Sequence, residues 1–231
     1  MIQLHKGVLR GHFDFGWLDT FHTFSFGEFY DPERMGFHGL RVINEDRVAP
    51  GKGFPPHRHR DMEIITYVLE GKLEHKDSLG NGSVIRPGEI QRMSAGTGVQ
   101  HSEYNASKDS AVHLLQIWIE PKAKNLPAGY EQKTFQFQPG RLNLVVSPDG
   151  REGSLSMQSD SSLFVLPLSD KSEFRLDLPS GRSGWLQITR GKVTVHNLKL
   201  EAGDGIALEE EKSVLVRSDN GPSEMLFFDL P

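Results

Sequence analysis

The residues with the clearest chemical potential are two short pairs of metal-ligand type. His57 and His59 stand two positions apart, and His101 and Glu103 repeat that spacing further along the chain. Residues i and i+2 of a β-strand face the same side, about 7 Å apart, so each pair can present two donors in one direction. Three imidazole nitrogens and one carboxylate oxygen suit Fe, Mn, Co, Ni, Cu or Zn, whereas Ca and Mg prefer oxygen ligands alone. The spacing therefore predicts one metal centre built from two strands.

Two competing interpretations are a chance cluster and a structural zinc site. The chain holds ten histidines, so a single His-x-His pair is weak evidence, but two pairs beside glycine-rich turns are stronger. Structural zinc sites usually close with thiolates, and this chain contains no cysteine. A six-coordinate metal with four protein donors keeps two positions open for water, dioxygen or substrate. An open, reactive metal is therefore the preferred interpretation.

The remaining histidines carry weaker signals. His75, His113 and His196 are isolated on predicted strands, where surface or satisfied core residues are expected. Residues 94–98, with the sequence SAGTG, lack the lysine and the following helix of a phosphate-binding loop. They are predicted to form the turn that delivers His101.

The elements that position these residues are predicted to be short strands. Most apolar segments are four to eight residues long and rich in Val, Ile, Phe and Thr, with turn signals between them. Glycine and proline account for 37 of the 231 residues, or about 16%, which is above the average of about 12%. This pattern predicts an all-β sandwich or barrel.

An internal repeat divides the chain into two halves. Residues 68–75 and 188–195 each read as a strand, a Gly-Lys turn and a second strand, which puts the halves in register. In that register the counterparts of the four candidate ligands are Asp177, Pro179, Val216 and Ser218. The second half therefore lacks the ligand set, and one metal site per chain is expected in the first half. The boundary is predicted within the proline-containing residues 121–140.

Composition excludes several classes of partner. The net charge of −5 gives no support to nucleic-acid binding, and no apolar run approaches the roughly 18 residues that cross a membrane. The first residues lack the apolar stretch of a signal peptide, so a cytoplasmic location is expected. Residues 1–37 hold seven of the fourteen phenylalanines, which favours an aromatic cover over a β core and leaves open a wall for an aromatic ligand.

Several segments resemble signatures of the pirin family, particularly of its bacterial members. They include GWLDTFHTFSFGEFYDP, HRHRDMEIITYVLEGKLEHKDS and MSAGTGVQHSEYN. The positions that fit the two motifs of the wider cupin superfamily are Gly51, His57, His59 and Gly71 in the first and Gly98, His101 and Asn105 in the second. The resemblance is specific through about residue 120. It implies a bicupin of two stacked antiparallel β-barrels of jelly-roll type, with a metal-binding domain over 1–125 and a degenerate domain without ligands over 126–231.

The resemblance also bears on the carboxylate ligand. The general cupin pattern takes a glutamate from the first motif, where this chain has Ile64. The adjacent Glu63 should face the opposite side of the strand, where it can orient a ligating histidine. The pirin pattern takes its carboxylate from the second motif, which makes Glu103 the fourth ligand.

Two functions follow from the resemblance. The first is a quercetin 2,3-dioxygenase, which uses one divalent cation to cleave a flavonol with dioxygen and release carbon monoxide. Glu103 is then the catalytic base, and Fe(II) is the expected metal, with Zn, Mn, Ni, Co and Cu open. The partners are a small aromatic substrate and dioxygen. The alternative is a non-enzymatic, iron-dependent redox-sensing or regulatory protein with a protein partner and no direct contact with nucleic acid.

Overall fold

The computed structural model describes residues 1–231, and nearly all of its regular structure is β. The only helices are two 3-10 turns, at Gly7–Leu9 and Arg151–Gly153. The predicted all-β class is therefore confirmed. None of the helices has the length and apolar character needed to cross a membrane.

The chain divides into two compact units. The N-terminal unit comprises Gly11–Phe135 and Leu155–Ser159, and the C-terminal unit comprises Met1–Arg10, Gln136–Ser154 and Asp160–Pro231. The main change from one unit to the other falls between Phe135 and Gln136, inside the range 121–140 and ten residues beyond the expected division at residue 125. The first ten residues join the C-terminal unit because its strand at Gly205–Leu208 pairs with Ile2–His5. Such long-range pairing leaves no local sequence signal.

The N-terminal unit consists of two antiparallel sheets and one further short strand that belongs to neither of them. Its strands are β2 (Gly11–Asp14), β3 (Leu18–His22), β4 (Leu40–Val48), β5 (Gly53–His59), β6 (Glu63–Glu70), β7 (Leu73–Asp77), β8 (Gly82–Ile85), β9 (Glu89–Ser94), β10 (Val99–Asn105), β11 (Val112–Ile119), β12 (Gly129–Thr134) and β14 (Leu155–Ser156). One sheet has the order β12-β9-β6-β11-β4-β3-β2, and the other has the order β5-β10-β7-β8. Apolar side chains from both sheets, among them Val68, Leu73 and Ile85, form a core between them.

The C-terminal unit repeats this plan. Its strands are β1 (Ile2–His5), β13 (Asn143–Ser147), β15 (Ser162–Leu168), β16 (Glu173–Asp177), β17 (Ser183–Arg190), β18 (Lys192–Val195), β19 (Leu198–Glu201), β20 (Gly205–Leu208), β21 (Ser213–Ser218) and β22 (Ser223–Leu230). One sheet contains the run β1-β20-β17-β22-β15-β13, and the other has the order β16-β21-β18-β19. Val216, the counterpart of His101, is fully buried in the apolar core of this unit.

The predicted repeat corresponds to equivalent turns in the two units. Gly71 between β6 and β7 has φ +80°, and Gly191 between β17 and β18 has φ +79°. A Cβ at Gly71 would lie 2.8 Å from the Ala111 carbonyl oxygen, and one at Gly191 would lie 2.7 Å from the Pro222 carbonyl oxygen. Both the left-handed backbone and the short distance to the neighbouring carbonyl oxygen require glycine at these positions. This requirement explains why the repeat can be recognised in the sequence.

Candidate metal centre

Three of the four predicted ligands come together between neighbouring strands. His57 and His59 project from β5, and His101 projects from β10 directly opposite His57. Their ring centroids are 4.4 to 4.8 Å apart, and one ligand nitrogen from each lies within 4.8 Å of the others. We call His57, His59 and His101 the outer triad.

The hydrogen bonding of the outer triad fits a metal ion. His57 Nδ1 lies 2.8 Å from the Pro55 carbonyl oxygen, and donation to that oxygen leaves Nε2 with its lone pair. His101 is 2% exposed, and neither of its ring nitrogens has a hydrogen-bond partner. Buried polar atoms are nearly always paired, and metal-binding histidines commonly fix their second nitrogen on a carbonyl or carboxylate. The donor set can therefore hold a divalent transition metal.

Glu103 lies on the same strand but belongs to a different group of donors. The pairing of β10 with β5 shifts between His101 and Glu103, where β5 carries one extra residue, while the pairing of β10 with β7 stays regular. A Glu103 carboxylate oxygen lies within 4.8 Å of ligand nitrogens of His75 and His101. We call these three residues the inner triad. Gln116 Nε2 donates to the Glu103 carboxylate at 3.1 Å, and the Thr66 hydroxyl donates at 3.4 Å.

Burial shifts the pKa values of residues in both triads, so that their neutral forms are favoured. Burial, together with the charges of neighbouring histidines, lowers the pKa of His59 to about 4 and that of His101 to about 2. Burial also raises the pKa of Glu103 to about 7, although its hydrogen bond with Gln116 opposes the shift. The histidine lone pairs are therefore available for a metal at neutral pH.

Glu63 is separate from both triads. Its carboxylate accepts a 2.7 Å hydrogen bond from the Ser94 hydroxyl and another from the Gln158 backbone. The neighbouring Ile64 packs instead with Met93 and Val99 in an apolar cluster, so the two side chains take opposite faces of β6. This placement agrees with the expectation that Glu63 is not a ligand.

A cavity of about 480 Å³ opens onto the metal centre. His57, His59 and Glu103 line it together with aromatic and polar side chains, and no lysine or arginine does. The aromatic residues are Phe13, Phe15, Phe26, Phe54 and Trp118, and the polar ones include Thr20, His22, Asn44, Asp46 and Gln116. Three of the phenylalanines come from the aromatic N-terminal segment, so that segment does supply a wall for this space.

The sequence patterns did not predict several of the residues that line the cavity. Asn44 and Asp46 have the same i, i+2 spacing as the histidines, and this signal could have identified them. Burial raises the pKa of Asp46 to about 6, and a hydrogen bond with Thr20 opposes the shift. Trp118 lies 4.8 Å from His59 between ring centroids and meets Phe26 edge-on at 5.3 Å. Aromatic residues in strands are common, so nothing local marked Trp118 as a cavity residue.

The three isolated histidines have different environments. His113 Nε2 lies 2.8 Å from a Glu45 carboxylate oxygen, as expected for a satisfied residue. His196 follows β18 with φ +51°. His75 is fully buried and pairs with Asp77, but its Nδ1 has no hydrogen-bond partner. The hydrogen-bonding capacity of the His75 ring is therefore only partly used.

The chain is similar to known proteins along its whole length. The pirin family model matches residues 6–119, and a model described as the quercetinase C-terminal cupin domain matches residues 144–230. The sequence is 46% identical to a quercetin 2,3-dioxygenase of Escherichia coli (strain K12) over 100% of this chain and 99% of that protein.

Solved structures agree with the sequence comparisons. The crystal structure of YhhW from Escherichia coli, 46% identical, matches with a TM-score of 0.96 over 100% of this chain and 98% of that one. Bacterial pirin YhhW from Escherichia coli in complex with nickel(II), also 46% identical, matches with a TM-score of 0.95 over 100% of this chain and 99% of that one. The chain therefore belongs to the pirin family of the cupin superfamily and has a bicupin fold.

Proposed function

We propose that this protein is a metal-dependent dioxygenase that cleaves a flavonol such as quercetin with dioxygen and releases carbon monoxide. The observation that carries the proposal is the aromatic-walled cavity of about 480 Å³ that ends on His57 and His59. Planar aromatic ligands pack well against such walls. The 46% identity to a protein named quercetin 2,3-dioxygenase supports the same substrate class.

The proposed ligands are His57, His59, His101 and Glu103, and the expected metal is Fe(II). The donor chemistry is also compatible with nickel, the metal in the complex of the related YhhW. A divalent metal at this position supplies positive charge that favours the deprotonated form of a flavonol hydroxyl. Metal analysis of the freshly purified protein tests the choice of iron, and a nickel content well above the iron content would overturn it.

Glu103 is the proposed base for the flavonol 3-hydroxyl proton. Its carboxylate lines the cavity beside the histidines, which places it next to a flavonol bound there. Hydrogen bonds from Gln116 and Thr66 hold the carboxylate in place. Removal of the hydroxyl proton makes the flavonol ring electron-rich, which favours its reaction with dioxygen.

The cavity also offers hydrogen-bond acceptors to a hydroxylated substrate. Its lining includes three carboxyl groups, Glu28, Asp46 and Glu103, and no cationic lysine or arginine. A hydroxylated flavonol can donate hydrogen bonds to the oxygens of these groups. The cavity itself favours the enzyme over the redox-sensing alternative, because a sensor needs no enclosed space above its metal.

The test is quercetin turnover with detection of carbon monoxide, with and without oxygen, on protein of measured metal content. We expect oxygen-dependent carbon monoxide release by the wild type, and its loss in His57→Ala and Glu103→Gln. His196→Ala, at a residue that does not line the cavity, is the control and should retain activity. Fully metallated wild type that releases no carbon monoxide would refute the proposed activity. Metal content that is unchanged in His57→Ala would refute the role of that residue in the site.

A further inference from the structure

The inner triad is a second convergence of metal-ligand side chains. It consists of His75, His101 and Glu103, whose ligand atoms all lie within 4.8 Å of one another. The three residues are 0%, 2% and 3% exposed, respectively. The cross-strand pairing of β7 with β10 places His75 directly opposite Glu103. The arrangement is therefore held by backbone hydrogen bonds rather than by flexible side chains alone.

His75 is oriented in the way that metal-binding histidines usually are. Its Nε2 lies 3.1 Å from Asp77 Oδ2. Asp77 also accepts hydrogen bonds from the backbone N–H groups of Leu79 and Asn81 and from the Asn81 side chain. A carboxylate surrounded by donors acts as an acceptor, so the ring proton sits on His75 Nε2 and the lone pair sits on Nδ1. A carboxylate–histidine pair of this kind fixes the tautomer of metal ligands.

The lone pair of His75 Nδ1 has no partner. The atom is buried and makes no hydrogen bond. The ring cannot easily turn away, because it stacks on Tyr130 at 4.8 Å between centroids as well as pairing with Asp77. A buried acceptor without a partner is uncommon in folded proteins, and the His75 ring lies beside two further donor side chains. A bound cation would satisfy it.

The chemistry of the group suits a divalent transition metal. The inner triad offers two imidazoles and one carboxylate, a donor set that favours Zn, Ni, Fe or Cu over Ca or Mg. The ionised forms of Glu103 and Asp77 together carry two negative charges, which match the charge of such a cation. The outer triad also uses His101, and the proposed metal centre also uses Glu103, so the two positions share these two residues.

We propose that the inner triad is a second position for a divalent cation, with His75 as a ligand and Asp77 as the residue that orients it. The position does not depend on flavonol cleavage. It requires neither His57 nor His59, so it persists when both are removed.

The test uses Ni²⁺ binding by the full-length His57→Ala/His59→Ala double variant, followed by isothermal titration calorimetry and native mass spectrometry. We expect one Ni²⁺ per chain. In the same background, adding His75→Phe should weaken binding more than about 100-fold, and adding Asp77→Asn should weaken it roughly 10- to 100-fold. Adding His12→Ala, which removes an exposed histidine paired with Asp19, is the matched control and should change nothing. Circular dichroism confirms that each variant is folded.

A further variant separates a ligand from a residue that only positions His101. His75→Gln keeps a hydrogen-bond acceptor, but its amide oxygen is a weak ligand for Ni²⁺, so a ligand role predicts loss of binding in this variant too. Unchanged affinity with glutamine at position 75 would overturn the proposal, as would a double variant that binds no Ni²⁺. If His75→Phe does not fold, His75→Gln and Asp77→Asn still decide the outcome.

Discussion

The burial of Glu103 predicts a specific dependence of stability on pH in the metal-free protein. Burial raises the pKa of this carboxyl from 4.5 to about 7, and the nearby Asp46 carboxylate adds to the shift. A group whose pKa is higher in the folded state than in the unfolded state stabilises the fold through its protonated form. That contribution is complete below pH 4.5 and is lost as the pH rises through about 7.

The expected magnitude follows from the two pKa values. The interval from 4.5 to about 7, at about 1.4 kcal/mol for each pH unit, corresponds to about 3 kcal/mol in the free energy of unfolding. Most of this, roughly 2 to 3 kcal/mol, is lost between pH 5 and pH 8.5. Glutamine at position 103 keeps the shape of the side chain and does not titrate. The stability of the wild type relative to Glu103→Gln should therefore fall by that amount over this range.

The comparison with Glu103→Gln is essential because histidines act in the opposite direction. The lowered pKa values of His59 and His101 make the metal-free protein more stable as the pH rises toward 6.5. Both proteins contain these histidines, so their contributions cancel in the difference.

The assay is urea unfolding of chelator-treated protein at several pH values between 5 and 8.5. Glu210→Gln, which alters an exposed carboxylate, is the control and should show no such trend. A difference between wild type and Glu103→Gln that stays constant with pH would show that Glu103 ionises as it does in water. The conclusion that burial raises the pKa of Glu103 to about 7 in the metal-free protein would then be wrong.

Three further predictions concern the metal, the cavity wall and the second unit. His101→Ala should weaken Ni²⁺ binding more than about 100-fold by titration calorimetry, because this residue belongs to both triads; equal affinity would contradict its role. Trp118→Leu should raise the KM for quercetin about fivefold in steady-state assays, since an aromatic contact contributes about 1 kcal/mol; an unchanged KM would place the substrate elsewhere. Gly205→Ala should destabilise the protein by about 1 to 3 kcal/mol in urea unfolding, because its Cβ would lie 2.3 Å from the Trp185 ring; unaltered stability would show that this ring moves aside freely.

Local patterns in the sequence were sufficient for the fold class and for much of the site. Short apolar segments between glycine turns identified an all-β chain, because alternation and turn chemistry act over a few residues. The i, i+2 spacing placed His57 and His59 on one face of β5 for the same reason. The repeat could be recognised because Gly71 and Gly191 occupy equivalent positive-φ turns that exclude other residues.

Other features depended on which strands are neighbours in space. The spacing of His101 and Glu103 predicted that both belong to one ligand set, and the pairing of β10 with β7 places His75 beside both of them. The pairing of β1 with β20 assigns the first residues to the C-terminal unit. Asp46 and Trp118 reach the cavity through β4 and β11, which lie in the opposite sheet from the histidines.

The sequence by itself determined the strands, their turns and the face on which each ligand pair lies. The tertiary structure alone decided which faces meet, and therefore that His75 joins the donors and that aromatic rings enclose them. The physical reason is that side-chain direction along a strand is a local property with a period of two residues. Strand pairing and register, in contrast, are settled by hydrogen bonds and burial between segments that are far apart in the chain.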